Sequence, residues 1–398
     1  MSIIDREKLV VVGGGIGGLA TAIACIQKGM AIQLIERTPQ YSHVGAGIQL
    51  GPNVTRILQA WGLGDALAKV AAYPKQLQAR DARSGKVMGT LPLAGRAETL
   101  YGAPYVTVHR ADLHRVLHKG AQVDGVGLWL GQNIRGWYEK PERVYVQTDG
   151  PQSIYASALI AADGLWSVLR RQMLVTDRPS FSGHLAYRAM VSQADLPAHL
   201  RSDQVTVWMG HRLHVVHYPV RGGESLNLVA IVHGDKPEQF QNWDQDADTR
   251  ELMQSMGKVG RDLHERLASV PAWRKWALHN SPPLSSASEM VQGRVALLGD
   301  AAHAMLPYLA QGAGMAIEDA HVVAQCLSTE GQTVQEQLQA YAEQRWERNA
   351  RVQARAVRNG QIFHARGLEA IGRNLSMRFM GERVMDVPWL YGGGPVPT

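Results

Sequence analysis

Cysteine is scarce. The chain of 398 residues has two, Cys25 and Cys326. Both fall inside apolar helical patterns, so they read as core thiols rather than a disulfide or metal ligands, which suits a reducing cytoplasm. No metal site is expected. Long apolar runs are missing too, since none approaches the roughly 20 residues that cross a bilayer. The opening MSIIDREK mixes acids with bases and leads straight into a strand-like run, unlike a signal peptide. Charge of one sign is modest: 41 basic against 35 acidic residues give a net +6 without a long lysine run. That argues against nucleic acid as a partner and favours anionic small molecules. Repeats and low-complexity segments are absent. The remainder is ordinary for a globular protein, 45% hydrophobic and 19% charged, with enough chain for two or three domains and a large core.

The most informative stretch runs from Leu9 to Glu36. Leu9 to Val12 is an apolar, β-branched run that reads as a buried strand. Gly13, Gly15 and Gly18 follow in G-x-G-x-x-G register, then a helical pattern to Lys28, then a second strand from Ile32 to Ile35. In such a βαβ unit the first glycine permits a tight turn, the second lets a pyrophosphate approach the backbone, and the third allows close helix–strand packing. The helix start offers free N–H groups and a positive dipole end to phosphates. Glu36 stands where a carboxylate accepts hydrogen bonds from a ribose. The unit predicts a dinucleotide and leaves open which one.

Downstream, Gly45, Gly47 and Gly51 surround Gln49 in a loop that is either a plain connection or a crossing point for a ligand ring. Arg110 begins a helix and either reaches a phosphate or lies exposed. Ala158 to Ala162 reads as a buried strand ending at Asp163 and Gly164, the edge where α/β sheets bind ligands. Residues 181 to 233 read as antiparallel sheet, and alternation puts His214, Val216 and Tyr218 on one face. Residues 236 to 280, with Trp243, Trp273 and Trp276, read as a polar helical cover for that sheet. A second constellation spans Arg294 to Ala320: a strand ends in Gly299 and Asp300, Pro307 breaks the backbone, and Gly312 and Gly314 lead into a long helix. Glu318 and Asp319 suit the early turns of that helix by its dipole. The run Arg345, Arg348, Arg351, Arg355 and Arg358 reads as a solvated helix face. The tail starting at Trp389 reads as an ordered anchor followed by a loose end.

Three separated pieces together resemble one family. They are GGGIGGLA continuing to Glu36 and Arg37, the strand end Ala162-Asp163-Gly164, and Gly299-Asp300-Ala301-Ala302-His303 running on to Pro307 and Gly312. In order and spacing they are similar to the single-component flavin-dependent aromatic hydroxylases of the para-hydroxybenzoate hydroxylase type, over nearly the whole chain. The resemblance implies an α/β protein: a Rossmann-like FAD-binding domain (1–72, 100–178 and 281–330), an inserted antiparallel-sheet substrate domain (73–99 and 179–280) and a helical C-terminal region (331–398). It implies FAD held by Gly13, Gly15, Gly18, Glu36, Arg37, Arg110, Asp163, Asp300, Gly312 and Ala313. Reduction would come from NADH or NADPH without a separate nicotinamide domain, Asp163 serving both FAD and nicotinamide. Flavin movement is implied as well, with Gly45, Gly47 and Gly312 permitting it.

Within the family the chain is most similar to the salicylate and 3-hydroxybenzoate hydroxylase branch, through GAGIQLGPN, PYVTVHRADLH, the His214 and Tyr218 pair, and the terminal WLYGGG. That likeness implies a pocket of Gln49, Tyr105, Tyr308, His214 and Tyr218, with Pro307 by the flavin ring. The expected reaction is 6-hydroxylation of 3-hydroxybenzoate to gentisate with NAD(P)H and O₂, through a C4a-hydroperoxyflavin. His214 would be the base that draws off the phenolic proton and Tyr218 its orienter. Alternatives are a salicylate 1-hydroxylase, a 6-hydroxynicotinate 3-monooxygenase, or a flavoprotein dehydrogenase or oxidase. The expected partners are a small aromatic carboxylic acid, O₂ and NAD(P)H, in a cytoplasmic protein whose candidate assembly is a homodimer. Some 3-hydroxybenzoate hydroxylases carry glutamine before the tyrosine of the last loop, where this chain has Pro307. The hydroxynicotinate enzymes carry histidines where this chain has Gln49 and Tyr308.

Overall fold

Strands buried on both faces need apolar residues at every position, and the runs Leu9–Val12, Ile32–Ile35 and Leu159–Ala161 are buried throughout. In the computed structural model, which describes residues 8–41, 45–150, 154–174, 178–238 and 244–396, they form the centre of a six-stranded sheet. Its order is Val291–Gln292, Val295–Leu297, Leu159–Ala161, Leu9–Val12, Ile32–Ile35, Val126–Trp129, parallel except at the first pair. The helix Ile16–Gln27 packs on this sheet between the helices Arg110–Ala121 and Gly312–Leu327. Val144, Val146 and Ala156, from an antiparallel three-stranded meander, join the same core.

The second layer is an eight-stranded sheet. Its central strands Trp273–Asn280, Ser180–Ser192, Ser225–His233, Leu213–Val220 and Val205–Gly210 are antiparallel. Gln76–Asp81 adds in parallel to Val205–Gly210 and pairs with Val87–Pro92 at the edge. One face, carrying Tyr187, Trp208, Val215 and Leu228, is covered by the helices Thr249–Met256 and Arg261–Ala268 through Leu252, Leu263 and Leu267. The expected helical cover is therefore only part of residues 236 to 280. Trp273 and Trp276 belong to a sheet strand, and Trp243 lies outside the described residues. That strand has no β-branched residue and carries Arg274, Lys275 and Asn280, so its pairing with Ser180–Ser192 is a tertiary effect that local propensity did not signal. Among the described residues no helix is long and apolar enough to cross a membrane.

The C-terminal helices Val334–Phe363 and Gly367–Met385 break at Gly367, where φ is +54°. Arg345, expected on a solvated face, is 1% exposed. Its Nε donates to Asp319 Oδ1 at 2.7 Å and its Nη1 to Glu318 Oε2 at 2.8 Å. Arg348 adds two hydrogen bonds to Glu318 at 2.7 and 2.8 Å, and reaches the carbonyls of Trp389 and Leu390 at 3.2 and 2.8 Å. Asp319 Oδ2 accepts from His303 Nε2 at 2.6 Å and from the Gly299 amide at 3.2 Å. Helical spacing cannot distinguish this buried pairing from an exposed arginine face. Burial alone would raise both carboxyl pKa values. Arg345 and Arg348 around Glu318, and His303 and Arg345 around Asp319, more than offset it, so both lie below the usual range.

Removing one partner from a buried ion pair leaves an uncompensated charge, at a cost of about 3–5 kcal/mol. Arg345→Met should lower stability by that amount near neutral pH, measured by denaturant unfolding. Because the depressed carboxyls stabilise the native state above their unfolded pKa values of 4.5 and 3.8, the deficit of the variant should shrink as pH falls below 4.5. An equal deficit at pH 7 and pH 4 would contradict this role.

Candidate active site

A long groove lies between the two layers, and it is built from the first βαβ turn outward. Gly13 has φ of +109°, and a Cβ there would overlap the Ala162 carbonyl. Gly18 likewise presses against the Gly13 carbonyl. Gly15, the N-cap of the helix, has open space where a side chain would go. That helix start has no side-chain cap and no acid in its first turn, so its free N–H groups suit an anion. One part of the groove, a cavity of about 680 Å³, is lined by Glu36, Arg37, Arg110, Asp163 and Asp300 among others. Glu36 accepts from the Gly14 amide at 2.6 Å and the Thr38 amide at 2.8 Å. His114, which the sequence reading missed, also lines this part and hydrogen-bonds to the Gly14 carbonyl at 2.8 Å.

The Asp163 carboxylate is turned into the structure. It accepts from Ser167 Oγ at 2.6 Å and the Val168 amide at 2.9 Å, at the start of the helix Val168–Met173. Burial raises its pKa against those hydrogen bonds. Arg170, 2% exposed, spans from this helix to the carbonyls of Ala301 and Ala302 and so fixes the turn after Asp300.

Gly15, Ala46, Arg110, Gly164, Trp276 and Asp300 also border a second cavity of about 380 Å³. Its walls are the sheet residues His214, Val216, Tyr218, Val229 and Ile231 on one side and Pro307, Gly312 and Ala313 on the other. The expected shared face of His214, Val216 and Tyr218 is thus the cavity wall. Gln49 completes it and accepts from the Tyr105 hydroxyl at 2.7 Å. Gly47 is a close-approach position rather than a flexible one: its amide donates to Asn227 Oδ1 at 2.7 Å, and a Cβ would meet the Tyr218 ring at 2.5 Å.

Two expected pocket residues do not line this cavity. Tyr105 stands behind Gln49, packed edge-on to Tyr391. Tyr308 is 5% exposed and stands behind His214, with ring centroids 5.0 Å apart. The short turn Pro307–Leu309 accounts for this, because it presents Pro307 to the cavity and carries the next side chain into the core beside Leu306 and Leu278. Trp166, Arg188 and Trp276 line the groove without having been singled out for it. Arg188 lies over the Trp276 ring, 5.2 Å from its centroid.

His214 is 2% exposed, and its Nδ1 lies 2.7 Å from His364 Nε2. His364 Nδ1 is in turn 3.0 Å from His233 Nε2, which is 3.2 Å from His184 Nε2. Burial, and then the neighbouring His184, push the His214 pKa down to about 3. Burial and the other imidazoles push His364 down to about 2. His214 is therefore a neutral imidazole at pH 7. With Nδ1 engaged by His364, Nε2 is the nitrogen left to serve the cavity.

A family model described as an FAD binding domain matches residues 6–356. A 3-hydroxybenzoate 6-hydroxylase of Polaromonas naphthalenivorans is 36% identical over 96% of this chain and 95% of its own length. A 3-amino-4-hydroxybenzoate 2-monooxygenase of Streptomyces cremeus is 35% identical over 98% and 96%. Among solved structures, an HpxO variant of Klebsiella pneumoniae complexed with FAD superposes with a TM-score of 0.86, at 26% identity, over 98% of this chain and 100% of that one. The glycine-walled groove with its uncapped helix start fits the same cofactor. The chain belongs to the FAD-dependent aromatic hydroxylases.

Proposed function

We propose that the protein hydroxylates 3-hydroxybenzoate at C6, giving gentisate, at the expense of NADH or NADPH and O₂. The observation that carries this reading is a neutral, buried histidine on the cavity wall opposite Pro307, with Tyr218 and Gln49 on the same wall. The 36% identity to a 3-hydroxybenzoate 6-hydroxylase supports the choice of substrate.

FAD, when bound and reduced by the nicotinamide, supplies activated oxygen. The chain's own residues do the rest. Gly13 makes the tight turn against the Ala162 carbonyl and Gly15 leaves room for the pyrophosphate at the helix start. Glu36 and Arg37 flank the adenosine end, and Arg110, Asp300, Gly312 and Ala313 border the passage toward the ring. Gly18 holds helix against strand. Asp163 lines the groove beside Gly164, and its carboxylate is oriented by Ser167 Oγ and the Val168 amide. His214 Nε2 accepts the hydrogen bond of the phenolic hydroxyl, and Nδ1–H donates to His364 Nε2. That hydrogen bond draws the phenolic proton toward the imidazole and raises electron density at the positions ortho and para to the hydroxyl, which is where an electrophilic oxygen attacks. A positioned proton acceptor of this kind is worth up to about 10²–10⁴-fold in rate. Tyr218 and Gln49 are the polar groups left on that wall for the carboxylate. Tyr105 holds Gln49, and Tyr308 buttresses His214 from behind. The apolar remainder, Val216, Val229 and Ile231, excludes water from the oxygen-transfer step.

The test is a panel of phenolic acids (3-hydroxybenzoate, salicylate, 6-hydroxynicotinate) scored for stimulated NADH and NADPH oxidation with product identification. Gentisate from 3-hydroxybenzoate is expected. Peroxide as the sole product would make the protein an oxidase, and a different hydroxylated acid would replace the substrate. His214→Ala should lower the hydroxylation rate by about 10²–10⁴-fold and release peroxide in place of product while FAD binding persists. Full, coupled turnover in that variant would remove His214 from the mechanism.

A further inference from the structure

Beyond the cavity wall, His184, His233 and His364 converge with no acidic residue among them. Their nearest ring nitrogens all lie within 4.8 Å of one another, and no other such His, Cys, Asp or Glu group occurs among the described residues. Hydrogen bonding alone serves this group poorly. His233 Nε2 is at hydrogen-bond distance from both His184 Nε2 and His364 Nδ1, at 3.2 and 3.0 Å. A ring nitrogen of neutral imidazole has either one proton or one lone pair. His233 Nε2 must then share one proton between two acceptors or one lone pair between two donors.

We propose that His184, His233 and His364 form a binding site for a divalent transition-metal ion of the zinc, cobalt or nickel type, and that ion occupancy reverses the hydrogen bond between His364 and His214. Three lone pairs directed at one ion remove the conflict at His233. At metal–nitrogen distances of about 2.0–2.1 Å, tetrahedral ligand nitrogens stand about 3.3 Å apart. The separations of 3.2 and 3.0 Å widen by no more than a few tenths of an ångström, and the third, between His184 and His364, closes from within 4.8 Å. Imidazole suits these ions, and each of the three rings has a nitrogen turned toward the other two. His184 and His233 are only partly buried, which gives the ion a way in. The positive charge of Arg212 acts on both of them, so the affinity falls below that of a site with a carboxylate ligand.

The consequence reaches the proposed mechanism and rests on that reading. An ion on His364 Nδ1 leaves the only proton of that ring on Nε2, which must donate to His214 Nδ1 at the 2.7 Å contact. The proton of His214 is then on Nε2, facing the cavity. Nε2 becomes a donor and no longer accepts from a phenol. The metal site is one imidazole removed from the wall it switches off.

The experiment is calorimetric titration of the FAD-loaded protein with Zn²⁺ in chelator-treated buffer, for the wild type, His233→Ala and His184→Gln. One Zn²⁺ per chain is expected for the wild type, with affinity lowered by at least about 10–100-fold in each variant. FAD absorbance and the melting midpoint of each variant report that it is folded. Absence of saturable binding, or binding unchanged in a folded variant, would overturn the site. In parallel, Zn²⁺ should slow product formation by the wild type and spare both variants. Binding at the three histidines without slowed hydroxylation would overturn the switch and leave the site. If no phenolic acid is hydroxylated at all, the function fails and the titration still decides the site.

Discussion

Two carboxylates buried side by side at 0% exposure, Glu318 and Asp319, are the constraint on which the site depends. Glu318 is kept ionised there by Arg345 and Arg348, and Asp319 by His303 and Arg345, the two arginines coming from a different helix. The compensation therefore joins separate parts of the chain. Asp319 also takes the amide of Gly299 and the ring of His303, so the turn carrying Asp300 is held to the helix Gly312–Leu327. Glu318 also takes Asn53 Nδ2 at 2.7 Å, from the helix Pro52–Ala60 that follows Gln49, which lies not in a loop as expected but in the short strand Gly47–Leu50 paired with Val106–His109. Arg348 reaches the Trp389 and Leu390 carbonyls and ties down the C-terminal tail. One charge-balanced cluster thus sets the spacing of Asp300, Pro307, Gly312 and Gln49 around the groove.

The opposite wall is governed by desolvation. The strand Leu213–Val220 places His214 in an apolar layer where the imidazolium form is strongly disfavoured. Desolvation keeps the imidazole neutral with a lone pair free for a hydrogen bond from a phenol, and it also makes that imidazole a weak base, so it polarises the hydroxyl rather than carrying its proton away. Hydrogen bonding to His364 decides which nitrogen of that acceptor faces the cavity. The floor of the site is therefore rigid and its protonation pattern is set by a neighbour, so cofactor position and acid–base character are controlled by different parts of the molecule.

Much of this was legible in the residues, for definite reasons. The first βαβ turn writes itself locally: Gly13, Gly15 and Gly18 are there because a Cβ at Gly13 or Gly18 would collide with backbone, and Gly15 faces open groove. The period-two alternation of a strand was enough to put His214, Val216 and Tyr218 on one face. Pairings over long separations left no such mark. Trp273–Asn280 reads as part of a polar cover until Ser180–Ser192 is placed beside it. Arg345 has the spacing of a solvated row, and only Glu318 and Asp319, 27 and 26 residues away, reveal its burial. Tyr105 and Tyr308 are near the cavity but one layer back, a distinction that depends on rotamers and on a single turn. His184, His233 and His364 are 49 and 131 residues apart along the chain, and no motif connects them.

The most direct measurement of the central claim is a crystal structure of the protein with FAD and 3-hydroxybenzoate bound. The account predicts the aromatic ring in the cavity between Pro307 and the sheet, with its hydroxyl oxygen at hydrogen-bond distance from His214 Nε2. A ring bound elsewhere, or a hydroxyl turned away from His214 with the carboxylate in its place, would contradict it.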